Sequence, residues 1–257
     1  MNLDHPRHPA RASLIAVVIL AAGCAVGTAS DRPGADVAAV RGPASALLAR
    51  MRAACGGDAW DRVQGWHETG RVDLPGQSGL QYEAFHEIGT LRTTYVQRLN
   101  GRIIRLGGYD GATSWRVRPD GSVETGSDPA ALRRTRRDMY LSNSGYFFPN
   151  RFPADFALAG VQTLNGRTFD VLRVTPANAE SADLWVDRET HRIGRIVAGE
   201  EAAEGSDYRM FGGVCGPTRL RQGDGDPAHE VMLRVETVDT GPIDPARFVP
   251  SAAAVPR

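Results

Sequence analysis

The sequence has few of the features that mark most enzymes and nucleic-acid-binding proteins. It contains only three cysteines and six histidines, and the histidines do not have the spacing of metalloprotease or deaminase ligands. No serine lies in a nucleophile elbow, and no glycine-rich loop has phosphate-binding spacing. Thirty basic residues balance thirty acidic residues, so no net charge attracts nucleic acid. We therefore expect a protein that is not an enzyme, needs no metal or cofactor and binds no nucleic acid.

Long apolar runs are also missing, and the one short run lies near the N-terminus. Residues 14–20 are apolar, follow Arg7 and Arg11, and precede three small residues and Cys24. This order is typical of a bacterial signal peptide. The run is far shorter than the ~20 apolar residues that span a bilayer. We predict that residues 1–23 are a signal peptide and that the protein is exported.

Cys24 ends a short run of small residues that resembles a bacterial lipobox. This predicts that Cys24 is acylated and becomes the N-terminus of an outer-membrane lipoprotein facing the periplasm, attached to the membrane through its lipid anchor. Families of this kind usually carry leucine three residues before the cysteine, where this sequence has Ala21. The alternative is ordinary cleavage near Ala29, which would release a soluble periplasmic protein.

The remaining chain is predicted to be one domain between two irregular segments. Residues 24–42 are rich in Ala, Gly, Asp and Pro and read as a flexible tether, and residues 251–257 as a disordered tail. Between them, helical periodicity predicts a helix over 44–54, and Asp128 and Pro129 begin a second helix. Most of the remainder alternates with a period of two, in about ten or eleven strands joined by short turns. These connections are too short for parallel crossovers, so residues 43–250 should form a mainly β (α+β) domain with one large antiparallel sheet.

Several strand-and-turn motifs resemble those of a known superfamily. They are the segments 57–60 (GDAW), 109–115 (YDGATSW), 166–176 (GRTFDVLRVTP) and 184–190 (LWVDRET). The sequence is similar here to outer-membrane lipoprotein-sorting proteins of the LolA/LolB-like superfamily, over residues 46–248. The resemblance implies an incomplete β-barrel whose concave face is covered by helices and receives acyl chains. None of these motifs carries a functional residue of the family, so the resemblance concerns the fold more than the function.

The expected function is the binding of an acyl chain or a lipoprotein in an apolar cavity, and lipoprotein sorting is the process that such binding would serve. Candidate ligand-binding residues are aromatic side chains near the expected cavity and the apolar face of the last strand: Trp66, Trp115, Tyr146, Phe147, Phe148, Val231, Leu233 and Val235. Such aromatic clusters are more often simply core. The alternative function is therefore a structural or interaction lipoprotein whose sheet is filled by its own side chains. A protein partner cannot be named from the sequence.

Cys55 and Cys215 are the two thiols that remain once Cys24 is acylated. Because an exported protein meets an oxidising compartment, the sequence allows a disulfide between them. Cys55 lies on the apolar face of the first helix, so it is equally well explained as a small buried side chain.

A basic segment on the second helix has two explanations as well. Arg133, Arg134, Arg136 and Arg137 lie opposite Leu132 and Met139 on a helical projection. Contact with lipid headgroups is one explanation, and a solvated helix face is the more common one.

Overall fold

The computed structural model describes residues 42–250. The predicted signal peptide, the acylation of Cys24, nearly all of the tether and the C-terminal tail lie outside these residues. One sheet and two α-helices account for most of the described chain.

Helix α1 spans Pro43–Ala54, as its periodicity predicts. Leu47, Leu48 and Met51 recur at helical spacing and are buried on one side. The helix ends where Gly56 takes a left-handed conformation with φ 113°. A 3₁₀ turn over Gly57–Arg62 then leads into the sheet.

Helix α2 spans Pro129–Ser142 and begins as predicted. The Asp128 carboxylate accepts a hydrogen bond from the backbone N–H of Ala131 at 2.6 Å, and Pro129 occupies the first turn. The helix ends at Ser142, just before Asn143 and Ser144, and the φ of 52° at Ser144 is left-handed. A second 3₁₀ turn, Gly145–Phe147, follows directly.

The sheet contains thirteen strands within residues 42–250, and every neighbouring pair is antiparallel. The first arm is a meander that precedes α2: β1 Gly65–Leu74, β2 Gln77–Glu87, β3 Arg92–Leu99, β4 Arg102–Tyr109, β5 Ser114–Val117 and β6 Val123–Thr125. The second arm follows α2: β7 Ala154–Leu164, β8 Arg167–Pro176, β9 Ala182–Asp187, β10 Ile193–Ala198, β11 Glu201–Phe211, β12 Val214–Gly223 and β13 Val231–Asp239.

The two arms meet in the middle of the sheet, where β1 pairs with β13. The strand order therefore runs from β6 to β1, then from β13 back to β7, and the sheet is an open, curved one. A register shift between Thr69 and Gly70 interrupts the central pairing. Such bulges increase local twist and help a sheet to curl.

Helix α2 contacts both arms of the sheet. Arg137 Nη1 donates to Glu180 Oε2 at 3.1 Å, and Glu180 lies between β8 and β9 of the second arm. Burial raises the pKa of Tyr109 on β4, and Arg136 of α2 partly offsets this rise, which places the helix beside the first arm as well. The fold is thus an incomplete barrel covered by helices, as the sequence predicted.

Candidate functional site

One face of the sheet packs against the helices, and we call it the inner face. Along β13, Val231, Leu233 and Val235 point to this face, while Arg234 and Glu236, which point to the other face, are exposed. Paired residues on neighbouring strands share a face, so the register extends this assignment across the sheet. The inner face is the candidate functional site because it is the surface that the fold encloses.

The second arm and β13 supply an apolar half to the inner face. Their side chains form one buried cluster with Leu47, Leu48 and Met51 of α1. The inner residues of this half are Leu172, Val174, Ala182, Leu184, Val186, Ile196, Ala203, Leu220, Val231, Leu233 and Val235. The structure places the three predicted residues Val231, Leu233 and Val235 on the inner face, a direction that the sequence did not predict, and their role in ligand binding stays a prediction.

Aromatic side chains from the Gly145–Phe147 turn occupy the space between α1 and the sheet. Tyr146, Phe147 and Phe148 are almost completely buried. The Phe147 ring lies 5.2 Å from that of Trp60, centroid to centroid. Arg52 Nη1 donates to the Phe147 carbonyl oxygen at 2.9 Å and so fixes this turn to α1. The three aromatic residues predicted near a cavity are thus part of the packed interior.

The two predicted tryptophans lie on opposite faces of the sheet. Trp66 on β1 is on the inner face, where its ring contacts Phe211 with centroids 5.8 Å apart. Trp115 on β5 pairs with Gly108, packs with Val96 and Leu106, and forms a separate buried cluster on the outer face. The structure does not bring Trp115 together with the other candidate residues.

The first arm adds buried polar side chains to the inner face, among apolar residues of the same cluster such as Val72 and Leu80, and the sequence analysis missed these polar residues. We call this part of the inner face its polar half. Glu68 on β1 is fully buried, and its Oε2 accepts a hydrogen bond from Trp66 Nε1 at 2.9 Å. Burial raises the pKa of Glu68 from 4.5 to about 7, and the Trp66 and Tyr82 side chains lower it by smaller amounts. A signal was present, because Glu68 has the same two-residue phase as Trp66, Gly70 and Val72, all of which face inward.

A chain of hydrogen bonds continues this polar half toward α2. The Asn143 amide donates to Thr93 Oγ1 at 3.0 Å, and Thr93 Oγ1 lies 3.2 Å from His86 Nδ1. Asn143 also donates to the Met139 carbonyl oxygen, which fixes the orientation of its amide. Burial lowers the pKa of His86 to about 3, so the imidazole is neutral at physiological pH.

The basic segment of α2 is only partly solvated. Arg133 and Arg134 are exposed, whereas Arg137 is buried and donates from Nε to Asp138 Oδ1 at 2.8 Å. Burial raises the pKa of Asp138 to about 6, although Arg137 opposes this change. Arg137 thus ties the helix to the second arm, and the expectation of a uniformly solvated face is wrong for this residue.

Cys55 and Cys215 are both buried, and the structure contains no disulfide between them. The chain segments that carry them are neighbours, because a Cβ added at Gly56 would lie 3.0 Å from the Val214 Cα. Both cysteines also lie close enough to Tyr208 to add to the rise that burial causes in its pKa. The disulfide stays a prediction.

A surface pocket of about 290 Å³ lies on the second arm and reaches the inner-face cluster, because its lining residue Ile193 belongs to that cluster and Tyr208 packs against it. It is lined by Arg167, Thr190, Arg192, Ile193, Gly194, Gly205, Ser206, Asp207 and Tyr208. Across residues 42–250, no group of three or more His, Cys, Asp or Glu side chains is arranged to hold a metal ion. None of the helices in this part of the chain has the length and apolar character needed to cross a membrane.

Two solved structures share this architecture. They are a LolA superfamily protein from Nitrosomonas europaea and a DUF1329 family protein from Desulfovibrio piger. Each is 14% identical to this chain, with a TM-score of 0.54, and each match covers 81% of this chain and 98% of the other. The chain therefore has a LolA-like fold, and at this identity the likeness shows the fold alone. No protein-family model matches the sequence, and no curated protein matches it.

Proposed function

We propose that this protein is a lipid-anchored envelope protein that binds an acyl chain, free or as part of a lipoprotein, between the inner face of its sheet and the helices. The observation that carries the proposal is the single apolar cluster shared by one face of the sheet and α1. An apolar ligand that enters there remains out of contact with water. The proposal includes a role in lipoprotein sorting, which the resemblance of the sequence motifs to the LolA/LolB-like superfamily implies.

The size of the hydrophobic effect makes this binding reasonable. Burying a ~14-carbon chain contributes on the order of 10 kcal/mol at ~0.8 kcal/mol per CH₂, before the costs of association. Because Tyr146, Phe147 and Phe148 fill the interior, the chain has to displace some of these side chains. Their turn begins at Ser144, a non-glycine residue with φ 52°, so this backbone is strained and a natural place for rearrangement. The displacement lowers the net affinity, and we expect a dissociation constant in the micromolar range.

Binding is tested by titrating a fluorescent fatty acid into the full chain carrying Cys24→Ser, which cannot be acylated at that position. We expect saturable binding. A fatty acid that carries a diazirine on its chain should then crosslink to peptides from β13 and from the Gly145–Phe147 turn. Absence of saturable binding, or labelling restricted to outer-face peptides, would refute the proposal.

A matched pair of variants tests the site itself. Leu233→Glu places a carboxylate on the inner face, where it has to lose its hydration, and should abolish binding. Met232→Glu places the same group on the adjacent, partly exposed outer-face residue and should bind normally. Circular dichroism establishes that both variants are folded. If Leu233→Glu does not fold, the crosslinking pattern of the unaltered inner face decides the question.

The anchor is a separate part of the proposal and has its own test. Growth with labelled palmitate should label the wild-type protein and leave the Cys24→Ser protein unlabelled. Equal labelling of both proteins, or no label on the wild type, would contradict acylation at Cys24.

The complete burial of seven of the eight predicted ligand-binding residues in one packed cluster favours a second function. A sheet filled by its own side chains can serve as a structural or interaction lipoprotein without any small ligand. Saturable fatty-acid binding separates the two functions, because a structural lipoprotein would show none.

A further inference from the structure

We propose that the inner face of β1, β2 and β3 binds the uncharged, hydrogen-bonding headgroup of an amphiphile, such as an acylglycerol, whose acyl chain lies on the apolar half. The inference rests on the proposed function and adds the polar end of the ligand. It is carried by a continuous group of buried polar side chains whose hydrogen-bonding capacity the protein leaves unused.

These side chains are neighbours across three strands. Trp66 pairs with His86, His86 pairs with Thr93, and Tyr82 pairs with Gln97. Paired residues lie on the same face, so each of these pairs brings two side chains together there. Glu68 joins the group through its hydrogen bond with Trp66. Asn143 joins it from the end of α2, through its hydrogen bond with Thr93. We call Glu68, Tyr82, His86, Gln97 and Asn143 the polar patch.

Each residue of the polar patch is at least 96% buried and has one polar atom without a hydrogen-bond partner among residues 42–250. The five atoms are Glu68 Oε1, Tyr82 Oη, His86 Nε2, Gln97 Oε1 and Asn143 Oδ1. The Tyr82 hydroxyl lies beside Glu68 and lowers the pKa of its carboxyl, but without the geometry of a full hydrogen bond. Buried polar atoms in native proteins are nearly always satisfied, and leaving one unpaired destabilises the fold. Five such atoms on one face of β1–β3 and the adjoining end of α2 indicate a site that a polar group occupies.

The five atoms define what that group must supply. Oxygens of Glu68, Gln97 and Asn143 are acceptors and need donors from the ligand. Thr93 Oγ1 accepts from the Asn143 amide and lies 3.2 Å from His86 Nδ1, where it donates or accepts according to the His86 tautomer. His86 Nε2 is a donor in one tautomer and an acceptor in the other, and the Tyr82 hydroxyl is a donor. Hydroxyl groups beside an ester carbonyl match this set, and an acylglycerol headgroup carries both.

The charges on the inward side of β1, β2 and β3 favour an uncharged headgroup, and the one inward cation that borders the polar patch on the next strand is Arg105 of β4, which pairs with Gln97. The inward residues of β1 and β2 include Glu68 and the neutral His86 and no arginine or lysine. The inward residues of β3 are Thr93, Tyr95 and Gln97. A carboxylate or phosphate would therefore be desolvated beside Glu68 without a cation in direct contact on these strands.

The position of the polar patch also fits an amphiphile. Strand β1 pairs directly with β13, so Glu68 and Gly70 face Val238 and Val235. The polar half thus borders the apolar half along one strand pair. A headgroup on β1–β3 leaves its acyl chain to continue over β13 and the second arm.

The test compares two lipids with the same chain, 1-monomyristoylglycerol and methyl myristate, as competitors of a fluorescent fatty acid on the Cys24→Ser full chain. Two additional hydrogen bonds at ~1 kcal/mol each predict about 30-fold tighter binding of the monoacylglycerol. Myristate, the charged competitor, should bind more weakly than the monoacylglycerol.

Three variants locate the preference. Gln97→Met removes one acceptor while keeping the side-chain length, and should reduce the preference about fivefold. Gln81→Met makes the same change at an exposed residue next to Tyr82 on the outer face and should leave the preference unchanged. Tyr82→Phe removes only the hydroxyl oxygen and keeps the ring, so it should also reduce the preference for the monoacylglycerol. This variant tests the site if Gln97→Met does not fold.

The outcomes separate this inference from the proposed function. If the wild type binds both lipids equally well, or prefers myristate, the headgroup site is overturned while acyl-chain binding stands. If it binds neither lipid, both proposals are overturned. A preference that Gln97→Met and Tyr82→Phe leave intact would also overturn the site.

Discussion

Replacing Glu68 with glutamine should stabilise the domain in a way that depends on pH. Glu68 is fully buried on the inner face and has one hydrogen bond, from Trp66 Nε1. Glutamine has the same shape and also offers an oxygen to that indole N–H, but it carries no charge. The substitution therefore isolates the cost of ionising a buried carboxyl.

The size and sign of the effect follow from the pKa of Glu68, which burial raises from 4.5 to about 7. Between these values the unfolded chain has lost the proton and the folded chain still holds it, so stability falls as the pH rises. Below pH 4.5 Glu68 is protonated in both the folded and the unfolded state, and above about pH 7 it is ionised in both. Outside this pH range its contribution to stability therefore does not change with pH. The full difference amounts to about 3 kcal/mol at 1.36 kcal/mol per pH unit. The Glu68→Gln protein does not lose stability in this way. From pH 5 to pH 8, its free energy of unfolding should therefore rise by about 2 kcal/mol relative to that of the wild type.

Urea denaturation of both proteins at several pH values measures the difference in the free energy of unfolding. Groups such as Asp138 titrate in both proteins and cancel in the comparison. Glu200→Gln, the same substitution at an exposed glutamate between β10 and β11, is the matched control for removing a glutamate outside the inner face. A Glu68→Gln difference that stays constant from pH 5 to pH 8 would show that Glu68 ionises normally and would refute the reasoning.

Three further predictions concern stability and the cysteines. His86→Gln should gain stability relative to wild type as the pH falls from 7 to 4, because the pKa of His86 is near 3 in the folded state and 6.5 when unfolded; urea denaturation at each pH checks this. Gly70→Ala should lower the free energy of unfolding by about 3 kcal/mol or more, because its Cβ would contact the Arg234 carbonyl oxygen and lie 2.8 Å from the Tyr82 ring. Gly89→Ala, which has open space around its Cβ, is the control and should not change the stability. Thermal unfolding measures both effects. Thiol titration of the exported, denatured and non-reduced Cys24→Ser protein should detect neither Cys55 nor Cys215 if they form the predicted disulfide, and two thiols would contradict it.

Much of the architecture follows from local sequence patterns. The two-residue alternation and the short turns indicated eleven of the thirteen strands and their antiparallel pairing, and the helix signals at Pro43 and Asp128 marked both helices. The strand β6, Val123–Thr125, was missed because three residues are too few for a recognisable period. The strand β12, Val214–Gly223, was missed because Gly216 and Pro217 read as a chain break. Pro217 is tolerated there because it lies next to an irregularity in the β11–β12 pairing, where Asp207 has φ 54°.

The site was harder to predict because alternation gives the phase of a strand but does not say which residues share a face with a distant strand. One strand alone showed that Val231, Leu233 and Val235 share a face, but not that this face is the inner one. Trp115 looked equivalent to Trp66, yet a pairing register that runs through three intervening strands places it on the outer face. Glu68 was overlooked because a single charged residue at a position that alternates with apolar ones looks like an isolated exception. In the structure it belongs to a group of polar side chains from three strands and the end of a helix.

The pairing of β1 with β13 explains how one sheet can have a polar half and an apolar half. Each arm is a meander whose contacts are mostly between strands that are adjacent in sequence, so the residues of its inner face can differ from those of the other arm. The two compositions meet only at this strand pair. At that junction Gly70 omits a side chain beneath the Tyr82 ring, and its neighbour across the pair is Val235. The bulge between Thr69 and Gly70 bends the sheet along the same line. A ligand with one polar end and one apolar end that spans the junction would contact both arms, so its binding would depend on the geometry of this single strand pair.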